Sequence, residues 1–254
     1  ITSEGLVHAH VDGAKGVVVE VNCETDFVAQ TDEFKTFVGD VAKIIESNSA
    51  STVEAVNELK WPGDAEGHTV AQVISTKIAK IGENISIRRF ERFNAGASEV
   101  LGSYIHGNGK IGVIAQLTVD KAEGRAAAGS LAREIAMHAA AAEPRFVRRE
   151  QVTEQDLATE KEIARDQALK SGKPEAVVEK IVTGKMEKFY GEAVLLEQPF
   201  VRDDKVTITQ LLKQKGKEAG ATFDVVHFVR YRLGEGLQKR SDDFAAEVMA
   251  QANR

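Results

Sequence analysis

The spacing of apolar and polar residues changes period several times along this chain. VVVEV, 17–21, is an apolar β-branched run broken by one carboxylate. Such a run reads as a strand buried on both faces. The stretch before it, HVDGAKG, carries an Asp12-Gly13 pair, and glycine there supplies the positive φ of a hairpin turn. HVDGAKGVVVEV, 10–21, lines up with HGNGKIGVIAQL, 106–117, at a constant offset of 106 − 10 = 96. His10 falls on His106, Gly13 on Gly109, Gly16 on Gly112 and Val17 on Val113, with Asp12 against Asn108 as the same turn chemistry. Each copy predicts strand, Gly-containing turn, strand.

After each hairpin the period becomes helical. Phe34, Phe37, Val38, Val41, Ile44 and Ile45 share one helical face, and Leu131, Ile135, Met137, His138 and Ala139 lie in an Ala-rich helix that stops before Pro144. NISIRRFERF, 84–93, and FDVVHFVRYRL, 223–233, each predict a closing strand with arginines at alternating, outward positions. The expected fold is α+β: two pseudo-symmetric repeats of β-hairpin, helices and closing strand, meeting near Gly96. Repeat one takes residues 1–96 and repeat two residues 97–241, followed by a C-terminal helix over 242–254. The first repeat carries a short helix and polar loop over 51–68. The second carries a longer insertion, about 151–190. There, Leu157, Ala164 and Ala168 form one thin stripe and Val178, Val182, Met186 and Phe189 another, separated by SGKP, 171–174. This pattern predicts a protruding antiparallel helical hairpin.

One segment does not fit its surroundings. In VNCETDFVAQ, 21–30, the strand ends and a large aromatic ring, Phe27, follows Asp26 where a surface turn is expected. From the residues alone, Phe27 is either core, with Asp26 as the N-cap of a short turn, or a ring held out for use.

Composition narrows the function. The chain has 254 residues, 43% hydrophobic content and a formal net charge of −6. That charge argues against general binding to a phosphate backbone, and no nucleic acid is expected as a direct partner. No apolar run approaches the roughly 18 residues of a membrane span, and no secretory signal pattern opens the chain. The single cysteine, Cys23, cannot form an internal disulfide, which favours a reducing compartment. The first residue is Ile1 rather than Met, so an N-terminal part is expected to be missing.

Catalytic patterns are scarce. HGNGKIG and SGKP both depart from the phosphate-loop pattern G-x-x-x-x-G-K-[ST], and neither G-x-S-x-G nor H-E-x-x-H occurs. His8 and His10 stand at strand spacing, where a shared metal is conceivable and a turn-packing role is the plainer reading. Arg145, Arg148 and Arg149 form a brief basic cluster bordered by Glu143 and Glu150, read as a solvated face. No metal, cofactor or catalytic residue is assigned. What remains is a binding surface.

Seven motifs then recur in order: VNCETDFVA, KIGENISIRR, HGNGKIGV, IAMHAAAAEP, SGKP, GEAVLLEQPF and LGEGL…DDFAAEV. Together they resemble the elongation factor Ts family, the bacterial-type nucleotide-exchange factors of elongation factor Tu. The resemblance implies a non-enzymatic cytoplasmic protein that binds this GTPase, disturbs its magnesium and GDP site and promotes GDP release during translation elongation. It implies that Thr25, Asp26, Phe27 and Val28 form the wedge motif, with Phe27 pushed between helices of the GTPase and Asp26 holding the turn. His138 and Val201 would face the β-barrel domain of the GTPase, although Arg202 stands where relatives can carry an apolar residue. Phe244 and Val248, in the C-terminal helix, would grip its nucleotide-binding domain. Members usually begin with a ubiquitin-associated-like module. SEGL, 3–6, looks like the start of the core just after it, so this chain is expected to lack that module. With both repeats in one chain, no obligatory self-dimer is implied. The alternatives are a scaffold subunit holding the GTPase in a larger assembly such as a viral RNA replicase, and an enzyme built on His8 and His10.

Overall fold

The computed structural model describes residues 2–237; the helix expected over 242–254, with Phe244 and Val248, lies outside the described residues. Strands β1 (Glu4–Asp12) and β2 (Lys15–Cys23) form a hairpin. Helices α1 (Asp26–Ala29), α2 (Asp32–Glu46), α3 (Val53–Asn57) and α4 (Val70–Ile81) follow, and β3 (Ser86–Asn94) returns antiparallel to β2. A second hairpin, β4 (Glu99–His106) and β5 (Ile111–Val119), leads into α5 (Arg125–Ala142) and then the helical pair α6 (Glu154–Lys170) and α7 (Glu175–Ala193). A small ribbon, β6 (Pro199–Phe200) and β7 (Asp203–Thr207), precedes α8 (Ile208–Ala219). The last described strand, β8 (Phe223–Arg232), pairs antiparallel with β5. The result is a mixed α+β molecule with three small antiparallel sheets, ordered β1-β2-β3, β4-β5-β8 and β6-β7.

The two larger sheets face each other. Val7, Ala9, Val18, Phe93, Leu101 and Ile114 fill the space between them. On the outer face of the first sheet, Val17, Val19 and Val21 pack against Phe34, Phe37 and Val41 of α2. On the outer face of the second, Val113, Ala115 and Leu117 pack against Leu131 and Ile135 of α5 and Leu211 of α8. Strands β2 and β5 are therefore covered on both sides, which is why their sequences read as near-continuous apolar runs instead of alternating. Gly112 marks how close the sheets come. A Cβ at that position would stand 2.6 Å from Val7 Cγ1, nearer than two carbon atoms can approach.

The sheets share strand order, and the β-bulges fall between Glu20 and Val21 in one and between Gln116 and Leu117 in the other. The hairpin turns differ. In the first, Asp12 pairs with Lys15 across two residues; in the second, His106 pairs with Ile111 across four. The longer loop shifts register, so that Val17 lies opposite His10 while Val113 lies opposite Tyr104. His10 and His106 thus do not occupy matching places, and Asn108 sits inside its turn at φ 53° while Asp12 ends a strand.

The closing strands need a second correction. Arg232 is set outward in solvent as expected, but Arg88, Arg89 and Arg230 are not. Arg88 and Arg89 reach Glu20, whose side chain is 0% exposed, and Arg230 bonds Ala140 O and Glu143. The bulge beside Glu20 breaks the simple alternation on which the outward reading relied.

The pair α6 and α7 seals a cluster of its own from Ala164, Ala168, Val178, Val182 and Met186. Among the described residues, no helix is long and apolar enough to cross a membrane.

Candidate functional site

Helix α1 has four residues, far short of the length at which a helix holds itself in water. Its neighbours hold it. Thr25, the N-cap, accepts from Val28 N–H at 3.3 Å. Thr31, the N-cap of α2, donates its hydroxyl to Val28 O at 2.7 Å and accepts from Phe34 N–H, which ties the end of α1 to the start of α2. Ala29 points inward at 1% exposure, and Val28 packs against the same core. Asp26 is exposed, and the ring of Phe27 is 84% exposed, more than any other large apolar side chain among the described residues. The reading of Phe27 as core is overturned. So is Asp26 as the cap, since Thr25 holds that position.

A carboxylate clamp closes the corner from the other side. Glu83, in the loop between α4 and β3, accepts the Thr25 hydroxyl on Oε1 at 2.6 Å. Its Oε2 accepts Glu24 N–H at 3.2 Å and Thr25 N–H at 3.1 Å. Glu24 reciprocates, taking Asn84 N–H on Oε1 at 2.9 Å. Sequence reasoning missed Glu83, though a signal was present. A carboxylate directly after the C-cap Gly82 stands at the negative end of the α4 dipole, an unfavourable place unless it has donors elsewhere.

Cys23 lies beneath this corner, fully buried, with its thiol directed to Thr25 O. Burial, then the nearby Glu83 charge, pushes it up to about 12. That leaves no thiolate for nucleophilic work at neutral pH.

His138 and Val201 form a second locus. The His138 ring is fully buried between α5 and the β6–β7 turn. Its Nδ1 accepts Val201 N–H at 3.2 Å, so Nε2 carries the proton and donates it to Gln198 Oε1 at 2.8 Å. Gln198 donates in turn to Ala142 O and Glu192 O. Val201 itself is 46% exposed at the turn tip, and beside it Arg202 reaches back to the sulfur of Met137.

The remaining candidates are engaged elsewhere. His8 and His10 stack on each other with centroids 6.4 Å apart, and His10 lies 3.3 Å from Glu46. Among the described residues, no three His, Cys, Asp or Glu side chains are gathered for a metal. Arg145 pairs with Asp156, Arg148 with Asp224, and Arg149 with both Glu187 and Glu197 while stacking on Tyr190. The basic cluster is neither a free cationic patch nor a simply solvated face. It ties α7 and β8 to the segment after α5.

Comparison with known proteins gives one consistent result. Residues 24–235 match the family model described as "Elongation factor TS". The chain is 47% identical over 246 residues to elongation factor Ts of Syntrophotalea carbinolica, covering 97% of this chain and 80% of that one. It is 44% identical over 250 residues to elongation factor Ts of Clostridium perfringens (strain SM101), covering 98% and 80%. To elongation factor Ts of Clostridium botulinum (strain Alaska E43) it is 42% identical over 256 residues, covering 100% and 82%.

Proposed function

The chain belongs to the elongation factor Ts family, and we propose that the exposed ring of Phe27 is the lever with which it works. It is a nucleotide-exchange factor for elongation factor Tu, not an enzyme, and serves translation elongation. Its place of work is the cytoplasm. The partner is the GTPase, with no direct role for nucleic acid and no obligatory second copy of this chain.

The observation that carries the lever is the contrast at α1. A ring left in water at 84% exposure is fastened to a backbone whose next inward residue, Ala29, is buried at 1%. Free, the ring leaves apolar surface hydrated; inserted between elements of the partner, it recovers about 1.5–3 kcal/mol. If that energy is available only when the partner's magnesium and GDP site is distorted, it weakens nucleotide binding by at most on the order of a hundredfold, since about 1.4 kcal/mol is tenfold. Once the magnesium is disturbed, the diphosphate loses its main counter-charge and leaves. The coupling is reciprocal, so rebinding nucleotide expels the exchange factor by the same factor. Asp26, exposed beside the ring, serves as acceptor for donors of the partner. Val201, held out at the tip of the β6–β7 turn, serves as a second contact, and His138 serves it from inside by fixing the turn. Phe244 and Val248 are assigned to a third contact on family resemblance alone.

The two large sheets are taken as repeats of one unit, divided near Gly96 into 1–96 and 97–241, with a C-terminal module over 242–254. The shared strand order and the bulges 96 positions apart (116 − 20 = 96) support this. The test of function is release of a fluorescent GDP analogue from elongation factor Tu. Micromolar amounts of this chain are expected to accelerate it, and no acceleration would reject the reading.

A further inference from the structure

The lever needs a brace, and we infer that Glu83 is a positioning residue for exchange that aims Phe27 from below. The inference rests on Phe27 being the lever. Helix α1 is too short to set its own direction, so the ring points where the two ends of the helix are held. One end continues into α2 through Thr31. The other leaves β2 through Glu24 and Thr25, and at this end Glu83 accepts three hydrogen bonds: from Glu24 N–H, Thr25 N–H and the Thr25 hydroxyl. Charge-assisted bonds of this kind are about twice as strong as neutral ones. The return bond from Asn84 N–H to Glu24 closes a loop between segments some sixty positions apart in sequence. The same Thr25 oxygen that donates to Glu83 accepts from Val28 N–H, so the clamp reaches the helix turn that carries the ring.

The clamp has a role beyond folding. The core beneath α1 is built from Ala29, Phe34 and Val38 and does not use Glu83. A ring on an unbraced corner would have to order that corner while entering the partner, at a cost in backbone conformational entropy. Bracing beforehand removes this cost from the exchange step. Placing a carboxylate at the end of α4 runs against the helix dipole, and the donors of the wedge corner are what offset it.

The experiment is a double-mutant cycle read by GDP release from elongation factor Tu at saturating exchange factor: parent chain, Glu83→Ala, Phe27→Ala and the double variant. If Glu83 acts through the ring, Glu83→Ala slows release about tenfold in the parent background and adds nothing once Phe27 is gone. An equal loss in both backgrounds, or no loss in either, overturns the inference. If Phe27→Ala alone leaves release unchanged, the lever reading itself falls and this inference with it. Should Glu83→Ala fold poorly, Glu83→Met serves, because it keeps the length of the side chain and offers no oxygen to the two backbone N–H groups. Hydrogen exchange at the Glu24 and Thr25 amides should then quicken while β2 and β3 stay protected. Unchanged protection at those two amides overturns the clamp.

Discussion

His138 and Val201 share one hydrogen bond that joins the inside of the molecule to its surface. The ring nitrogen Nδ1, fully buried, accepts Val201 N–H at 3.2 Å, while the Val201 side chain stands half in solvent. The bond requires a neutral ring, because a protonated imidazole has no acceptor to offer.

Acid should therefore loosen this turn. Burial lowers the His138 value below 6.5, against a smaller opposing effect of the Gln198 bond. Above about 6.5 both folded and unfolded rings are neutral and the contribution to stability is whole. As pH falls below 6.5 toward the folded value, the unfolded state takes up a proton that the folded state refuses, and stability is lost. The thermal midpoint of the parent chain should fall between pH 7.5 and 5.5 by more than that of His138→Gln. Equal slopes would remove His138 as the titrating group.

Phe27→Ala should separate stability from function. An exposed ring adds little to its own fold, so the thermal midpoint should move by no more than about 0.5 kcal/mol equivalent. GDP release should slow by roughly tenfold to a hundredfold, matching about 1.5–3 kcal/mol of lost burial in the partner. A large drop in melting temperature would contradict the exposure of the ring.

Glu20 should behave in the opposite way. Its carboxylate takes Arg88, Arg89 and Gly234 N–H, tying β2 and β3 to the end of β8. Burial pushes it up, but the bonds from Gly234, Asn22 and Arg89 together outweigh burial and hold it below 4.5. The stabilisation is whole above about 4.5 and is lost as pH falls through the depressed folded value. Glu20→Ala removes the buried anion shared by two guanidinium groups, which keep only Glu235 and Arg232 as partners, and should cost about 3 kcal/mol, the low end for a buried pair because both arginines remain partly hydrated. Urea titration of the variant measures it.

Cys23 should resist thiol reagents. With its value pushed up to about 12 by burial, labelling of the native chain at pH 8 should proceed only as fast as local opening. Rapid labelling would show the corner to be open.

Removal of residues 154–189 with a short Gly-Ser joint should leave the two large sheets folded, because α6 and α7 pack their apolar stripes on each other. Exchange activity that survives assigns this pair to holding other molecules, as the scaffold reading requires; activity that collapses assigns it to exchange.

Local periodicity carried much of the architecture. The apolar run 17–21, the 3.6-residue spacing from Phe34 to Ile45 and the seams of Ala164–Ala168 and Val178–Met186 each specify an element, because burial on one face or two leaves its period in the sequence. Gly16 and Gly112 were legible as a pair, though not their use at the approach of two sheets. Arg88, Arg89 and Arg230 were misread because a bulge changes the face of every residue beyond it, whereas Arg232 stands in solvent as expected. His10 and His106 were misaligned because a turn two residues longer shifts the register.

The sequence by itself determined the two hairpins, the closing strands, helices α2, α5, α6 and α7, the oddity of an aromatic ring at residue 27 and the family to which the motifs belong, since these depend on residues within a few turns of each other. Only the tertiary structure decided that this ring stands in water, that Thr25 caps the helix, and that Glu83 grips the corner from 58 positions away. Exposure and long-range hydrogen bonding depend on which surfaces meet in space, and spacing along the chain does not encode that meeting.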